Sequence, residues 1–436
     1  MLIQFSLENF KCIGKKQTLY MQPVRKIKDT GHELETGIAR EPYVLPCVSI
    51  MGANASGKST LIEGLFFLRW VVQNSSERKK DSIFPDKRFR LNPKYNNLPT
   101  SFEISFIADD NFLYEYHISF FPDKIEKEVL ICVKNIKGSK KIVLINREKN
   151  NFELNSIIHP DSNILKVWKA DINNQRTFLS YLGNKGDVDV FDMVLRWFGD
   201  LKNINNEKIP HVITSAMINA GTLKKENVLK LLGAADINID NFSIKEEKTD
   251  IPSDALEFIA SIISKQTRES LDFVSQKLLD SKSLSLVFEH KNISGESVAF
   301  DFENDESDGT RHFYSLSGPV LEALENGRVL IIDELNQSLH PFLLRKLIQL
   351  FTDKNTNKKG AQLIFTTHDV TVLDKTLLRP DEIYFIKKDE KLFEAELYSL
   401  AEFEGMGKND RGEKIYKDYL SGRFGAVPDI DWESGF

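Results

Sequence analysis

Long apolar runs are missing from this 436-residue chain. No stretch of about 18 apolar residues occurs, which argues against a membrane-spanning helix. The start, Met1–Leu2–Ile3–Gln4–Phe5–Ser6–Leu7–Glu8, alternates as a strand does and lacks the basic head and apolar centre of a signal peptide. Cysteine is scarce. Cys12, Cys47 and Cys132 are the only three, with no C-x-x-C pair, so a disulfide framework and a cysteine metal cage are not expected. Reduced, buried thiols and a cytoplasmic setting are. Nor is positive charge in excess: 58 Lys and Arg against 64 Asp and Glu give a formal charge of −6. That balance argues against a surface coated for non-specific nucleic-acid binding. The basic clusters Arg78–Lys79–Lys80, Lys137 to Lys141 and Lys354 to Lys359 read as solvated loops. No heptad pattern persists over several turns and no repeat is visible, so long coiled-coil arms are not expected.

What the chain does contain is a sharp phosphate-binding signal. Apolar Val48–Ser49–Ile50–Met51 leads into Gly52–Ala53–Asn54–Ala55–Ser56–Gly57–Lys58–Ser59–Thr60, after which Leu61, Leu65, Leu68 and Val72 repeat at helical spacing. This is the strand–GxxxxGK[ST]–helix order of a P-loop. Gly52 and Gly57 let the backbone turn so that successive N–H groups face a triphosphate, and the helix N-terminus adds its own donors. Lys58 is placed for the β- and γ-phosphates and Ser59 for Mg²⁺. A nucleoside triphosphate site is predicted.

Around it the chain reads in segments. Ile3, Phe5 and Leu7 return through Asn9–Phe10–Lys11 to Thr18–Met21 as a hairpin, a polar stretch runs from Arg25 to Glu41, and a strand from Tyr43 to Ile50 enters the P-loop. Between Thr100 and Leu154 period-two patterning predicts an antiparallel β region. From Asp161 to Asp280 helical spacing dominates, over Val188–Phe198, Lys224–Leu232 and Ala255–Leu279, with Asn203–Ile204–Asn205–Asn206 as the most linker-like point. A hairpin follows over Ser283–His290 and Ser297–Phe302. The fold class read from this pattern is α/β, a P-loop NTPase.

The complementary acids close the argument. Val329–Leu330–Ile331–Ile332–Asp333–Glu334 is an apolar strand ending in two carboxylates, a Walker B pattern once a P-loop is present. Asp333 is assigned to the Mg²⁺ shell and Glu334, one peptide further, to general-base activation of water. Gln362–Leu363–Ile364–Phe365–Thr366–Thr367–His368–Asp369 is a further buried strand ending in a histidine.

Several segments resemble parts of ABC-type ATPases. Glu306–Ser307–Asp308–Gly309–Thr310 is similar to the signature loop, in which Ser307 and Gly309 would cap the γ-phosphate of an opposite protomer. Leu316–Ser317–Gly318 matches by letters but lies too close to Asp333 to leave a full helix between. Ser338–Leu339–His340–Pro341 resembles the D-loop, and His368 stands where those proteins keep a γ-phosphate sensor. With Asn9–Phe10–Lys11 and the tail Lys414 to Pro428, the set resembles the AAA15/AAA21-type ATPases of the abortive-infection, RloA- and OLD-like group. These are ABC-like relatives of structural-maintenance-of-chromosomes and recombination-factor ATPases.

The resemblance implies an ABC-type head with a mixed sheet, an antiparallel β subdomain and a helical insertion. The implied division is residues 1–160, an N-terminal ATPase lobe; 161–280, a mainly helical insertion; 281–400, a C-terminal lobe with signature, Walker B, D-loop and switch histidine; and 401–436, a tail. Catalytic roles fall to Glu334, His368 and Lys58. Nucleotide binding falls to Gly52, Asn54, Ala55, Ser56, Gly57, Lys58, Ser59, Thr60, Ser307 and Gly309, and metal binding to Ser59 and Asp333. ATP and Mg²⁺ are the implied ligands. Position 12 is Cys where the group often has Ser, and no Q-loop glutamine stands out, Gln73 and Gln175 matching by letter only.

The function implied is an ATP-hydrolysing switch, a dimer or larger ring with shared ATP sites, controlling a separate effector such as a nuclease or toxin in anti-phage defence. Only some tens of residues follow His368, too few for the Toprim nuclease of some relatives, so any nuclease is expected on another chain. The alternative is a DNA-repair or chromosome-maintenance ATPase binding DNA across the dimer, which the acidic charge and the lack of coiled-coil arms disfavour. No membrane partner is expected.

Overall fold

The computed structural model describes residues 1–27, 31–77, 83–134, 141–149, 151–155, 168, 172, 175–185, 189–205, 211–248, 282–403 and 413–428. The chain forms two compact units, Met1–Glu207 with Ala323–Phe436, and Lys208–Glu322.

In chain order the first part of the larger unit carries β1 (Leu2–Glu8), β2 (Gln17–Tyr20), β3 (Leu34–Ile38), β4 (Glu41–Val44), β5 (Cys47–Met51), helix α1 (Lys58–Asn74), β6 (Thr100–Ile107), β7 (Leu113–Phe121), β8 (Lys124–Val133), β9 (Lys141–Glu148), β10 (Asn151–Leu154), α2 (Phe178–Lys185), α3 (Asp189–Asp200) and β11 (Lys202–Asn205). The smaller unit follows with α4 (Val212–Asn219), α5 (Lys225–Ala234), β12 (Asn241–Lys248), β13 (Lys282–Lys291), β14 (Ser297–Asp301) and α6 (Asp308–Asn326). The chain then returns through β15 (Val329–Asp333), α7 (Pro341–Thr352), β16 (Gln362–Thr366), β17 (Ile383–Lys388), β18 (Ala395–Ser399) and α8 (Glu413–Leu420).

Two large sheets and the small two-stranded sheet β3-β4 build the larger unit. One large sheet is antiparallel, in the order β10-β9-β8-β7-β6-β1-β2. The other runs β11-β15-β16-β5-β17-β18, with its first five strands parallel and β18 antiparallel at the edge. Its central strands CVSIM, VLIID and QLIFT are buried almost throughout, as strands covered on both faces must be. Because β15, β16 and β5 are parallel neighbours, Asp333, Thr366 and Met51 end on the same edge of the sheet. Ligands of open α/β sheets bind at that edge.

Helix α1 joins the two large sheets. Leu61, Leu65, Leu68 and Val72 form its buried stripe. Phe67 meets Phe10 with ring centroids 5.6 Å apart, and Phe10 meets Phe102 of β6 at the same separation. Gly64 lets the helix press on β1, since a Cβ there would lie 2.6 Å from Leu7 Cδ1. Asn9 takes a left-handed turn (φ 51°). Its amide donates to the Tyr95 and Leu98 carbonyls at 3.0 and 2.8 Å and accepts the Phe89 N–H at 3.0 Å, pinning the loop beside α1.

The first hairpin, the antiparallel region, helices α3 and α5 and the β13–β14 hairpin lie where the patterning placed them. Four segments differ. Asn241–Lys248, within the stretch read as helical, is the strand β12, which takes its conformation from pairing with β13. The single strand expected over Tyr43–Ile50 is two, β4 and β5, interrupted at Leu45–Pro46, where proline has no N–H for a ladder. The polar stretch Arg25–Glu41 contains β3, which pairs with β4. The linker-like Asn203–Ile204–Asn205 is an edge strand, Ile204 opposite Ile332; pairing with the buried β15 overrides the poor β preference of asparagine. The helix expected over Ala255–Leu279 lies outside the described residues.

In the smaller unit β12, β13 and β14 form an antiparallel sheet, and Phe242, Phe288, Phe302 and Tyr314 pack as its aromatic core. Helix α6 contains Pro319, which has no N–H to offer the Ser315 carbonyl. The Thr214 hydroxyl of α4 lies 3.0 Å from that carbonyl and accepts the Gly318 N–H at 3.2 Å. Ser317 and Gly318, the rejected signature match, are buried inside this helix.

Candidate functional site

The loop between β5 and α1 has the geometry its sequence demands. Gly52 sits so close to β17 that a Cβ would run into the Ile386 carbonyl oxygen. Gly57 has φ +115°, and a Cβ there would meet Cys12 Sγ at 2.9 Å. Asn54 and Ala55 are exposed, and Ala55 adopts φ 59°. Helix α1 starts with no side-chain cap and no acid in its first turn, so its N–H donors and positive dipole end stay open to an anion. Lys58 is buried. Its ammonium donates to the Gly52 and Ala53 carbonyls at 2.9 and 3.0 Å, folded back onto the loop. Burial pulls its pKa down, and Glu334 and Asp333 act against that pull. Ser56 is buried with its hydroxyl unpartnered.

Across the sheet edge, the carboxylates are held by a residue the motif reading did not single out. The Thr366 hydroxyl at the end of β16 donates to Asp333 Oδ1 at 2.5 Å and accepts the Glu334 N–H at 2.7 Å. It is wholly buried. Glu334 itself takes φ 56°, a left-handed turn that aims its side chain off the strand end. Asn336 Oδ1 accepts the Thr367 hydroxyl at 2.9 Å and the His368 N–H at 3.3 Å, tying the turn after β15 to the turn after β16. Two hydroxyl residues directly after the apolar run Leu363–Ile364–Phe365, the first of them closing the strand, were the available signal for Thr366.

His368 Nε2 lies 3.9 Å from Glu334 Oε1. Partial burial and the Lys58 ammonium lower the imidazole pKa, and Glu334 and Asp333 offset part of that. Lys58, Asp333, Glu334 and His368 therefore share one electrostatic environment. Ser59 and Asp333 line a common cleft of about 420 Å³ that continues along α1 past Phe66 and Trp70. Their hydroxyl and carboxylate oxygens are the hard donors Mg²⁺ takes, with phosphate oxygens and water completing its shell. Among the described residues no cluster of three or more His, Cys, Asp or Glu could hold a metal without such help. Thr60 Oγ1 accepts from Cys12 Sγ at 3.3 Å, so Cys12 lies against the P-loop. The three cysteines are free thiols.

The remaining predicted residues stand elsewhere. Ser307 and Gly309 belong to the smaller unit, at the start of α6, where the Ser307 hydroxyl accepts the Thr310 N–H at 3.2 Å as an N-cap. One helix separates them from β15. Ser338 of the D-loop-like turn is exposed with φ 55°, and His340 caps α7. Both glutamines are engaged in structural bonds. Gln73 is at the far end of α1, about 22 Å from Lys58 at 1.5 Å per residue, and accepts from Arg69; Gln175 donates to the Asp123 carbonyl at 2.7 Å. No described helix is long and apolar enough to cross a membrane.

Residues 47–204 and 225–374, well over half of the chain, match the AAA_21 family model, described as "AAA domain, putative AbiEii toxin, Type IV TA system". The chain is also similar to solved structures. An SMC head bound to the C-winged helix domain of ScpA is 13% identical, with a TM-score of 0.41 and 91% of this chain and 97% of that one covered. The SMC head domain from Thermotoga maritima is 11% identical, TM-score 0.38, covering 91% and 98%. The recombination mediator protein RecF with ATP is 15% identical, TM-score 0.38, covering 91% and 97%. No curated protein matches the chain.

Proposed function

We propose that this chain, which belongs to the AAA_21 family and has the fold of an ABC-type P-loop head, is an Mg²⁺-dependent ATPase that acts as a switch in a dimer or larger ring. The observation that carries the reading is the Thr366 bridge, which holds Asp333 and Glu334 at the strand edge beside the P-loop lysine. A triphosphate arriving there replaces the Gly52 and Ala53 carbonyls as partner of the Lys58 ammonium. The N–H groups of Gly57 to Thr60 take its oxygens. Mg²⁺, when bound, neutralises charge on the β- and γ-phosphates, with Ser59 and Asp333 as its protein ligands. Glu334 takes the proton of the attacking water, and a neutral His368 donates to the γ-phosphate.

Ser307 and Gly309 supply the second half of the site from another copy, so that the assembly closes on two ATP molecules. ATP binds the closed arrangement better and shifts its population, which is the switch. The most fitting setting is anti-phage abortive infection, with the switch controlling a separate nuclease or toxin. The family description, which carries the AbiEii name, supports that setting. Mixing Ser307→Arg with Lys58→Ala subunits tests the shared site. Each variant alone should be inactive, whereas a mixed dimer keeps one intact composite site and should recover up to about half the activity of an unmodified dimer. Mixed dimers that form but hydrolyse nothing refute it.

A further inference from the structure

The strand order of the parallel sheet gives a bound triphosphate a direction. Asp333, Glu334 and His368, the groups assigned to the metal and γ-phosphate end, stand at or just past the ends of β15 and β16. Both strands lie on one side of β5 and its P-loop, and β17 and β18 lie on the other. The nucleoside end of the triphosphate therefore runs toward β17 and β18. Strand β17 is parallel to β5 with Phe385 opposite Met51, the last residue of β5, and continues three residues further to Lys388. The β17–β18 hairpin thus projects past the sheet edge beside the P-loop.

That projection is fastened to the nucleotide loop. The Ala395 N–H donates to the Cys12 carbonyl at 2.8 Å, and a Cβ on Gly57 would come within 3.0 Å of Ala395 Cβ and 3.2 Å of Ile386 Cδ1. Phe393 is two residues from Ala395, a span of at most about 7 Å. The side chains of Leu392 and Phe393 are 45% and 46% exposed. The turn that carries them is held from within. The Asp389 carboxylate accepts the Lys391 and Leu392 N–H groups at 2.8 and 2.6 Å, and the Asp389 carbonyl accepts the Phe393 N–H at 2.8 Å. Phe393 takes φ 57°, a left-handed conformation that bulky residues rarely adopt. Its neighbour Glu394 is turned inward, 7% exposed, where a Cβ on Gly14 would meet its carboxyl carbon at 2.8 Å. A strained backbone, a fixed turn and an outward phenyl ring describe a side chain held in place for a ligand.

We propose that the tip of the β17–β18 hairpin is the wall of the nucleobase subsite, with Phe393 stacking on the base and Leu392 flanking it. This rests on the reading of the P-loop as the triphosphate site. The motif residues serve phosphate and metal, and the base needs a partner of its own. Phe393 offers the π-face on which a nucleobase stacks, and covering it and Leu392 withdraws apolar surface from water. The Lys388 ammonium lies over the ring, 5.7 Å from its centroid, so the base takes the opposite face.

The test is calorimetric titration of the full-length protein, with Mg²⁺, by ATP and by inorganic tripolyphosphate, which has the phosphates and no base. Phe393→Ala should bind ATP on the order of 10- to 100-fold more weakly than the unmodified chain and tripolyphosphate within about twofold of it. Retained tripolyphosphate binding also shows that the variant is folded. Phe393→Tyr, which keeps the ring, should bind ATP as the unmodified chain does. Unchanged ATP affinity in Phe393→Ala overturns the proposal. So does an equal loss of both ligands, which would put the effect at the phosphates, or an ATP affinity in Phe393→Tyr as low as in Phe393→Ala. Lys58→Ala should lose both ligands; if it binds both as tightly as the unmodified chain, the P-loop reading fails and the subsite with it.

Discussion

Thr366→Val is the sharpest single test of how the acidic half of the site is held. Valine keeps the shape and the β-branch of threonine but has no hydroxyl, so the strand β16 should persist while two hydrogen bonds vanish. One is to the Asp333 carboxylate at 2.5 Å and the other is from the Glu334 N–H at 2.7 Å, both around a side chain with no exposure. A hydrogen bond to a charged group contributes about 1.5–3 kcal/mol, and a donor left unpaired costs about 1–3 kcal/mol. Asp333 and the Glu334 N–H are only partly buried, and water recovers some of the loss, so the net destabilisation should be about 2–4 kcal/mol. The functional effect should be of similar size in free energy, about 2.7 kcal/mol for a 10²-fold loss of rate. Without the anchor the left-handed turn at Glu334 is free to relax, and a misplacement of about 1 Å in a catalytic group lowers turnover on the order of 10²-fold. Nucleotide affinity should barely change, because Lys58 and the P-loop are untouched. The assays are urea unfolding, equilibrium binding of a fluorescent ATP analogue, and steady-state phosphate release. Thr366→Ser, which restores the hydroxyl, should recover most of the turnover. Wild-type turnover in Thr366→Val would show that the bridge does not position Glu334 and would refute the reasoning.

Three further outcomes follow from the same geometry. Glu334→Gln should bind ATP and hydrolyse it about 10²–10⁴-fold more slowly, and should hold the closed assembly, read by phosphate release and by light scattering with ATP. His368 has its pKa lowered below the ordinary 6.5 by burial and by Lys58, so the folded chain binds fewer protons there than the unfolded one. Its contribution to stability is complete above pH 6.5 and is lost as pH falls below that value toward the depressed pKa; His368→Asn should flatten the stability curve in that acid range, measured by urea unfolding at successive pH values. Glu128 is fully buried, accepts the Phe178 and Leu179 N–H groups at 2.8 and 3.0 Å and lies 3.9 Å from Arg147. Glu128→Ala takes the carboxylate away from the buried Arg147 guanidinium, which keeps its bonds to the Lys149 and Arg176 carbonyls, and removes the acceptor of two N–H groups at the start of α2, so it should cost about 3–5 kcal/mol by the same unfolding measurement.

The parts of the site that were legible in the sequence are those whose chemistry and local structure are encoded together. The P-loop announces itself because an apolar strand, two glycines at fixed spacing and a helix must all occur within one short stretch. Asp333–Glu334 could be read because a strand with no polar residue until its last positions has to be buried on both sides. Strands β6 to β9 followed from period two alone. Where a segment takes its conformation from a distant neighbour, the local pattern was silent or misleading. Asn203–Asn205 carries no strand signal of its own and becomes one through β15. The turn at Leu45–Pro46 splits a run that looked continuous.

The same division runs through the functional residues. Each motif names the group that touches phosphate, metal or water, yet what fixes that group in space sits at a register position no motif records. Thr366 reaches Asp333 only because β16 is parallel to β15 with Ile332 opposite Phe365. Phe393 stands beside the P-loop only because β17 runs parallel to β5 and past its end. Gln73 shows the converse: the right letter in the right general region, placed by an ordinary helix end about 22 Å from Lys58 along α1 at 1.5 Å per residue. A residue type becomes a catalytic group when the backbone brings the partners that orient it. In this chain those partners are a threonine, an asparagine and the end of a neighbouring strand, none of which carries the chemistry itself.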